Sequence, residues 1–446
     1  MLELRQSDLH GAFGDPVLGS ISFLNEIMSR YPDAISFAPG APHLAFLDDL
    51  DVARHVDTWV AHQVAERSLS REQARSLLYE YGPSRGLINE LVADALRRDH
   101  GIEAGADAVV VTVGAQEAMV LTLHALCSRP GDLLAVVDPC FVGMRGAARL
   151  LDVPVVCVDE AEDGVDVDAL RAQCRAARSR GGRIRALYIS PDYSNPSGSL
   201  TSLAARRRLL DLAGQEDLLL LEDGAYGFTA PPGQEIPPLK ALDAEGRVVY
   251  LGTFAKVCLP GTRVGYVVAD QVIRTGDGSR RLLADELAVS KSMVTVNTSP
   301  ICQAVVGGML LEHGGSLKAL AQRKSELYRR NLALLLDALD RHLPPESGPA
   351  PGVSWSRPAG GFFVRMRLPV PADTALLETS ASEHGVLWTP MSHFYASGKG
   401  DNELRLSCSY LEPDRIEEGT ARLAGFLRKE VASGRPGGAG TAPPCR

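Results

Sequence analysis

The segment GTFAKVCLPGTRVG, residues 252–265, joins two apolar runs, RVVYLG (247–252) and VGYVVA (264–269). Both runs are rich in Val, Leu and Tyr, as buried strands are. Only TFAKVCLPGTR separates them, which is short for the helical crossover that joins parallel strands. The two strands are therefore expected to be antiparallel. The loop between them carries a lysine and an arginine seven residues apart.

Further apolar runs precede this loop and alternate with longer, helix-like segments. Most are nearly continuous in Val, Leu and Ile, which is typical of strands covered on both faces of a parallel sheet. The pattern predicts an α/β fold with a seven-stranded, mostly parallel sheet, one reversed strand and helices on both faces. The other predicted strands are DAVVVTV (107–113), DLLAVVD (132–138), VPVVCV (153–158), RALYIS (185–190) and DLLLLE (217–222).

Four regions are expected along the chain. Residues 1–45 contain scattered Gly and Pro and are predicted to form an extended N-terminal arm. Residues 46–320 are expected to form a large domain, which is helix-rich at first and interrupted at YGPSRG (81–86). Residues 321–431 form a smaller α/β domain with strands at GFFVRMRL and ELRLSCSY. Residues 432–446 have the composition of a disordered tail.

Composition argues against several classes of function. The net charge of −9 disfavours sequence-independent binding of nucleic acid. No apolar run approaches the ~20 residues of a membrane span, and the mixed-charge start MLELRQSDLHGAFGD does not resemble a secretory signal. The eight cysteines form no C-x-x-C pair and no zinc-ligand spacing. Buried free thiols in a reducing cytoplasm are therefore expected, with no metal site.

Four segments follow predicted strands at the sheet edge where open parallel sheets bind ligands. The turn TVGAQEAM (112–119) leads into a helix whose free N–H groups suit a phosphate, and a plain tight turn is the alternative. SPDYSNPSGSL (190–200) is rich in turn-forming residues, and a plain surface loop is the alternative interpretation. LLLLEDGAYG (218–227) places an acidic residue at the mouth of a buried strand, where a helix cap is the alternative. For the fourth segment, GTFAKVCLPGTRVG, the alternative is that its lysine is a charged side chain exposed to solvent.

Together the four segments meet one chemical requirement. A cofactor with an aldehyde, a pyridine ring and a phosphate needs an amine, a carboxylate at the ring nitrogen and an anion cradle. In order and spacing the segments resemble those of the fold-type-I, class I and II aminotransferases, over about residues 20–430. The resemblance implies pyridoxal 5′-phosphate held as a Schiff base on Lys256. It also implies transfer of an amino group between an L-amino acid and a 2-oxo acid. Lys291, in SKSM, is the rival lysine.

The resemblance assigns the cofactor contacts residue by residue. Asp223 resembles the aspartate that pairs with the pyridinium nitrogen. Tyr226 and Asn195 resemble the pair that contacts the phenolic oxygen, although this chain has N-P-S-G where the family norm is N-P-T-G. The other implied contacts are the phosphate loop Gly114, Ala115 and Gln116, the stacking ring Phe141, the hydroxyl of Thr253, the phosphate-binding Arg263, and Tyr81, which reaches the neighbouring subunit's phosphate.

The resemblance also implies how substrate is held and how protons move. Arg405, in L-R-L-S, resembles the arginine that grips the substrate carboxylate, beside Asn195 and Gly40. A carboxylate at residue 223 keeps the ring nitrogen protonated, so that the ring accepts electrons, and the freed lysine moves the Cα proton. Lys256, Asp223 and Tyr226 are therefore the catalytic candidates. A tyrosine that serves the other subunit implies a homodimer with shared sites.

Within the family, the N-terminal segment and SKSMVTVNTSP resemble the 2-aminoadipate, aromatic and dihydroxyphenylglycine aminotransferases, the last of antibiotic pathways. This implies an aromatic or arylglycine substrate. One alternative keeps the cofactor and changes the reaction to that of a cyclase, oxidase, decarboxylase or substitution enzyme. Another is a transcription regulator with an aminotransferase-like domain, but only ~40 residues precede the core here, too few for a DNA-binding domain.

Overall fold

A computed structural model of the chain describes residues 2–46, 50–344 and 351–433. The predicted disordered tail lies outside the described residues from residue 434 onward, and residues 432 and 433 belong to the last helix. The strands of the described ranges are β1 (Ile35–Ser36), β2 (Val109–Thr112), β3 (Asp132–Asp138), β4 (Val155–Ala161), β5 (Gly164–Val165), β6 (Arg183–Ile189), β7 (Leu219–Asp223), β8 (Val248–Thr253), β9 (Gly265–Val268), β10 (Val272–Arg274), β11 (Arg280–Leu282), β12 (Ser354–Trp355), β13 (Phe363–Arg367), β14 (Val386–Leu387), β15 (Thr389–Pro390) and β16 (Glu403–Ser407).

The helices alternate with these strands through the middle of the chain and flank them at both ends. The longest follows the central sheet and has 26 residues. Each α-helix within the described ranges is too short or too polar to cross a lipid bilayer. They are α1 (Pro16–Arg30), α2 (Val52–Arg67), α3 (Arg71–Ser76), α4 (Asn89–His100), α5 (Gly114–Leu126), α6 (Val142–Leu150), α7 (Val167–Ser179), α8 (Leu203–Glu216), α9 (Leu239–Leu242), α10 (Leu283–Val294), α11 (Pro300–Glu312), α12 (Leu317–His342), α13 (Thr374–His384) and α14 (Pro413–Ser433).

The central sheet has the strand order β2-β9-β8-β7-β6-β3-β4-β5. Strands β8, β7, β6, β3 and β4 pair in parallel, whereas β9 runs antiparallel to both β2 and β8. The seven predicted strands and the single reversed one are confirmed. The eighth, β5, has two residues and folds back on β4 through a turn at residues 162–163. It is too short to produce a periodic signal in the sequence.

Both faces of this sheet are covered by helices, as the continuous apolar runs predicted. On β3, Leu134 and Val136 belong to the core that contains residues of α5, α6 and α10. Ala135 and Val137, which alternate with them, pack on the other face against α7 and α8. Successive strand residues point to opposite faces, so a strand between two helix layers has to be apolar at every position.

The N-terminal arm contains the helix α1, so the prediction of an extended arm was wrong for residues 16–30. The side chain of Asp15 accepts a hydrogen bond from the amide of Val17, and Pro16 occupies the first turn, so α1 has a strong start signal. Ile27 is buried in the core built from the C-terminal part of the chain. The scattered glycines and prolines concealed a cap followed by apolar residues at helical spacing.

The C-terminal part contains an antiparallel sheet in the order β12-β13-β16-β15, and both strands predicted there are present. The predicted domain boundary at residue 320 falls inside α12. Leu320 packs in the core around α2 and α4, whereas Leu332 and Leu335 pack in the core of the C-terminal sheet. This helix therefore belongs to both parts, and the four-region division remains a prediction.

Candidate active site

A cavity of about 430 Å³ lies at the carboxyl ends of the parallel strands and collects most of the predicted residues. A larger cavity, of about 710 Å³, lies behind Gly224 and Gly227, and none of the predicted residues is among its described lining. The chemistry-bearing groups therefore converge on the smaller cavity. Of the predicted residues, those that line it are Gly40, Ala115, Gln116, Phe141, Asn195, Asp223, Tyr226, Thr253, Lys256, Arg263 and Arg405.

Lys256 lies in the turn that follows β8 and reaches across the cavity. The hydroxyl of Thr253 accepts a hydrogen bond from the amide of Ala255 at 3.1 Å, which closes the turn. The Nζ of Lys256 donates to the carbonyl of Gly40 at 2.6 Å. Burial, with a smaller contribution from Arg405, lowers the pKa of Lys256 to about 8. An amine with a pKa in this range is partly neutral near neutral pH and can act as a nucleophile.

Asp223 is the last residue of β7 and is buried. Its Oδ2 accepts a hydrogen bond from the hydroxyl of Tyr188 at 2.6 Å, and its Oδ1 accepts from the amide of Ala225 at 3.2 Å. Burial raises the pKa of Asp223, and the hydrogen bonds and the charge of Lys256 oppose that rise. The next 3-10 helix starts from Tyr226 without a side-chain cap, so Asp223 does not serve as a helix cap there.

Arg405, on β16, is only 4 % exposed. Its Nη1 donates to the Oδ1 of Asn195 at 2.6 Å, and its Nη2 donates to the carbonyl of Ala38 at 2.6 Å. Its guanidinium carbon lies 4.6 Å from the ring centroid of Phe363 and 4.8 Å from that of Phe394. Its Nε is buried without a hydrogen-bond partner among the described residues. Burial lowers the pKa of Arg405 to about 10.

Asn195 connects the arginine to the tyrosine. Its Nδ2 donates to the hydroxyl of Tyr226 at 3.3 Å while its Oδ1 accepts from Arg405. The Tyr226 ring packs edge-on against Phe362 and Phe363, at centroid distances of 5.4 and 5.5 Å. Burial raises the pKa of Tyr226. Its hydroxyl is therefore kept protonated and can donate to an oxygen placed in the cavity.

The first turn of α5 lines the cavity with Ala115 and Gln116. Gly114 has a φ of +70°, and a side chain there would collide with the guanidinium of Arg263. The side chain of the N-cap residue Val113 makes no hydrogen bond to the helix. Gln116 directs its side chain to the carbonyl of Gly143 at 2.8 Å. The first-turn amides and Arg263 thus form a cationic and dipolar cradle of the kind that binds phosphate.

Three predicted positions do not line this cavity, and one of them is Gly114, whose neighbour Ala115 does line it. Tyr81 is 89 % exposed and does not line it. Lys291, the rival lysine, is fully buried and donates to the Oε2 of Glu117 at 2.7 Å, so it is not free to meet a ligand in the cavity. Lys256 is accordingly the amine that faces the cavity.

Some contacts in the site were missed in the sequence. Tyr188 follows apolar residues on β6 and looked like ordinary strand packing, yet it hydrogen-bonds Asp223. The sequence did offer one signal for this contact: Tyr188 carries a hydroxyl and lies on β6, the strand that pairs with the Asp223 strand. Met28 and Phe394 also line the cavity, but no motif marks them because α1 and the C-terminal part reach it only through the tertiary fold.

The residues present fit one kind of cofactor. A lysine amine, a buried carboxylate on the neighbouring strand, and a phosphate cradle match the aldehyde, ring nitrogen and phosphate of pyridoxal phosphate. The orphaned Nε of Arg405 adds a donor for a carboxylate. The fold and the site therefore define a pyridoxal-phosphate enzyme. The family model described as "Aminotransferase class I and II" matches residues 53–423, and the chain belongs to that family.

Individual relatives agree with this assignment. The chain is 45% identical to an (S)-3,5-dihydroxyphenylglycine transaminase of Amycolatopsis orientalis, over 95% of each chain. It superposes with a TM-score of 0.78 and 26% identity on a Pyrococcus horikoshii kynurenine aminotransferase in complex with PMP, covering 94% of this chain and 97% of that one. It also superposes on an alpha-aminoadipate aminotransferase from Thermus thermophilus, complexed with N-(5'-phosphopyridoxyl)-L-leucine. The TM-score is 0.75 and the sequence identity is 30%, covering 96% of this chain and 100% of that one.

The predicted activity and cofactor are thereby confirmed. The protein is a pyridoxal-phosphate-dependent aminotransferase, which moves an amino group between an L-amino acid and a 2-oxo acid. The cyclase, oxidase, decarboxylase and substitution alternatives are not favoured by these relatives.

Proposed function

We propose that the amino substrate is an aromatic amino acid of the arylglycine class, held by its α-carboxylate at Arg405. The observation that carries this proposal is the buried guanidinium of Arg405, which lies against Phe363 and Phe394 with its Nε unpaired. A carboxylate bound there leaves the substrate side chain among apolar residues. The arylglycine substrate in the name of the relative at 45% identity supports the same class.

The walls of the cavity suit a flat, compact side chain. Met28, Met119 and Val142 line it together with the rings of Phe141 and Phe394. Thioether and aromatic groups pack well against an aromatic ring. A phenyl ring joined directly to Cα would lie close to the carboxylate, and Phe394, which touches both the cavity and Arg405, is the nearest wall for it.

Each of the other residues has a role in the proposed reaction. Pyridoxal phosphate, when bound, supplies an aldehyde and an electron-accepting ring. Asp223 holds the proton on the pyridine nitrogen, and the Nζ of Lys256 moves the proton at the substrate Cα. The other residues that would hold the cofactor are Gly114, Ala115, Gln116 and Arg263 at the phosphate, Phe141 at the ring, Asn195 and Tyr226 at the phenolic oxygen, and Thr253 in the turn that presents the lysine.

A single carboxylate site serves both halves of the exchange. The amino acid and the 2-oxo acid share an α-carboxylate, so Arg405 and Asn195 bind each of them in turn, and Gly40 forms the adjacent backbone wall. The first product has to leave before the second substrate enters. Ping-pong kinetics are expected for this arrangement.

The active form is proposed to be a homodimer in the cytoplasm. Tyr79, Tyr81, Met293 and Val294 are exposed apolar or aromatic residues, and exposed apolar groups of this size are typical of interfaces. Gly82, beside Tyr81, lies close to Asn297, so the turn and the end of α10 are neighbours. A partner on this face would bring its own Tyr81 toward the phosphate. The cysteines of the described residues form no disulfide, which supports a reducing compartment.

A panel of amino donors tests the proposed substrate. The purified holoenzyme is mixed with (S)-phenylglycine, (S)-3,5-dihydroxyphenylglycine, phenylalanine and 2-aminoadipate, and loss of the cofactor's absorbance band is followed together with the released oxo acid. The arylglycines are expected to give the highest kcat/KM. A preference for 2-aminoadipate or for phenylalanine would refute the arylglycine class. Arg405→Lys is the matched control, because it keeps the charge, loses the fork and should raise KM for every donor.

A further inference from the structure

A buried ion pair lies beneath the first turn of α5, outside the cavity. The side chain of Lys291, on α10, has no exposed surface. Its Nζ donates to the Oε2 of Glu117 at 2.7 Å and to the hydroxyl of Thr295 at 2.8 Å. That hydroxyl donates in turn to the Oε1 of Glu117 at 2.6 Å. These three residues are called the Lys291 cluster below.

The Lys291 cluster is connected directly to the first turn of α5. The Oε2 of Glu117 also accepts a hydrogen bond from the amide of Val113 at 2.7 Å, the residue at which α5 starts. The carboxylate thus fixes the amide of Val113, and with it the start of the turn that presents Ala115 to the cavity, while the first-turn amides receive no side-chain cap from Val113.

A carboxylate in this position creates a conflict. An acidic side chain near a helix N-terminus is favourable for the helix. The same helix end has to attract a phosphate, and a nearby uncompensated negative charge repels a dianion. A neutral amide at residue 117 could hold the Val113 amide equally well, whereas a buried ion pair has a large desolvation cost. The pair is therefore poorly explained by stability alone.

We propose that Lys291 is a positioning residue for the phosphate: it cancels the charge of Glu117, so that the first turn of α5 keeps both its shape and its attraction for a dianion. The inference rests on the proposed function, in which residues 114–116 and Arg263 hold the phosphate of the cofactor. It assigns a role to a lysine that does not enter the cavity.

Binding of two probes by apoenzyme variants tests this role. Pyridoxal phosphate and pyridoxal differ only in the phosphate, and their dissociation constants are measured from the absorbance of the bound form. Lys291→Met is expected to raise the dissociation constant of pyridoxal phosphate by about tenfold or more, which corresponds to ~1.4 kcal/mol of binding free energy per factor of ten. The dissociation constant of pyridoxal should stay nearly unchanged. Glu117→Gln should bind pyridoxal phosphate as tightly as wild type or more tightly. The double variant should return to near the wild-type constant.

The opposite signs of the two single variants separate this role from simple packing. If the Lys291 cluster only stabilised the fold, both single variants would bind both probes more weakly, and that result would overturn the proposal. Should Lys291→Met fail to fold, weaker binding of pyridoxal phosphate by Glu117→Gln would by itself refute the proposal, and tighter or equal binding would support it.

Arg263→Gln distinguishes failure of this inference from failure of the proposed function. A loss of preference for the phosphate in Arg263→Gln, with no effect in Lys291→Met, overturns the role of Lys291 and leaves the cradle in place. If none of the variants changes the preference for pyridoxal phosphate over pyridoxal, the proposed cradle is itself wrong.

Discussion

The reactivity of Lys256 in the apoenzyme follows from its surroundings and can be measured. Its pKa is about 8, against an ordinary value of 10.5. At pH 7.5 a group with a pKa of 8 is neutral for about a quarter of the time, whereas an ordinary lysine is neutral for about one part in a thousand. The neutral fraction of Lys256 at this pH is therefore roughly 200 times that of an ordinary lysine, and its labelling by an amine reagent should reach half of its maximal rate at a pH of about 8.

Two substitutions should move this pKa in opposite directions. Arg405→Met removes a positive charge that lowers the pKa of Lys256, so the pKa rises and the rate at pH 7.5 falls. Asp223→Asn removes a negative charge that raises it, so the pKa falls and the rate increases. Burial is the largest cause of the shift and remains in both variants. Neither variant should therefore return Lys256 to 10.5.

The assay is competitive labelling of the apoenzyme with an amine reagent between pH 6 and 10, with peptide mapping of the labelled lysines. The exposed Lys318 serves as the internal reference. A midpoint for Lys256 above about pH 10 would refute the depressed pKa. A shift in the same direction in Arg405→Met and Asp223→Asn would show that the charges do not act as described.

Three further outcomes follow from the site. Lys256→Ala should lose covalent cofactor and nearly all turnover, and a borohydride-reduced peptide map that labels Lys291 instead would contradict the assignment. Asp223→Asn should retain cofactor but lose orders of magnitude in kcat, each tenfold loss corresponding to ~1.4 kcal/mol of barrier; near-normal turnover would show that the carboxylate is not a ring partner. Mixing Tyr81→Phe subunits with Lys256→Ala subunits should regenerate one intact site per heterodimer, as measured by recovered activity, and full activity in a sedimenting monomer would exclude shared sites.

The sequence was sufficient for the sheet because the physical signal is local. Strands between two helix layers are apolar at every position, and a connection of eleven residues or so between β8 and β9 cannot hold a crossover helix. The carboxyl ends of parallel strands share one edge, so residues that follow different strands converge. Asp223 and Lys256, at the ends of neighbouring strands β7 and β8, are close for that reason.

The contacts that the sequence did not reveal depend on residues far apart in the chain. β1 pairs with β14 in a separate two-stranded sheet, and its Ile35 lies opposite Val386, so the N-terminal arm is joined to the C-terminal part of the chain. Nothing local in either two-residue strand indicates that pairing. The position of Met28 at the cavity follows from it, because α1 precedes β1 directly. The substrate pocket is therefore less predictable than the cofactor site.

The departure of N-P-S-G from the family norm shows how a motif can vary while its physical role is kept. The hydroxyl of Ser197 donates to the Oε1 of Glu160 at 2.6 Å, and Ser199 donates to the same oxygen at 2.6 Å. Arg365 donates to the other oxygen of Glu160 at 3.1 Å, and it lies opposite Arg405 in the β13–β16 pair. The position requires a hydroxyl donor toward a buried carboxylate, which serine and threonine both supply. The loop that carries Asn195 is thus connected through Glu160 to β13, the strand that pairs with the Arg405 strand, so the serine helps to preserve the contact between the groups proposed to bind the substrate carboxylate.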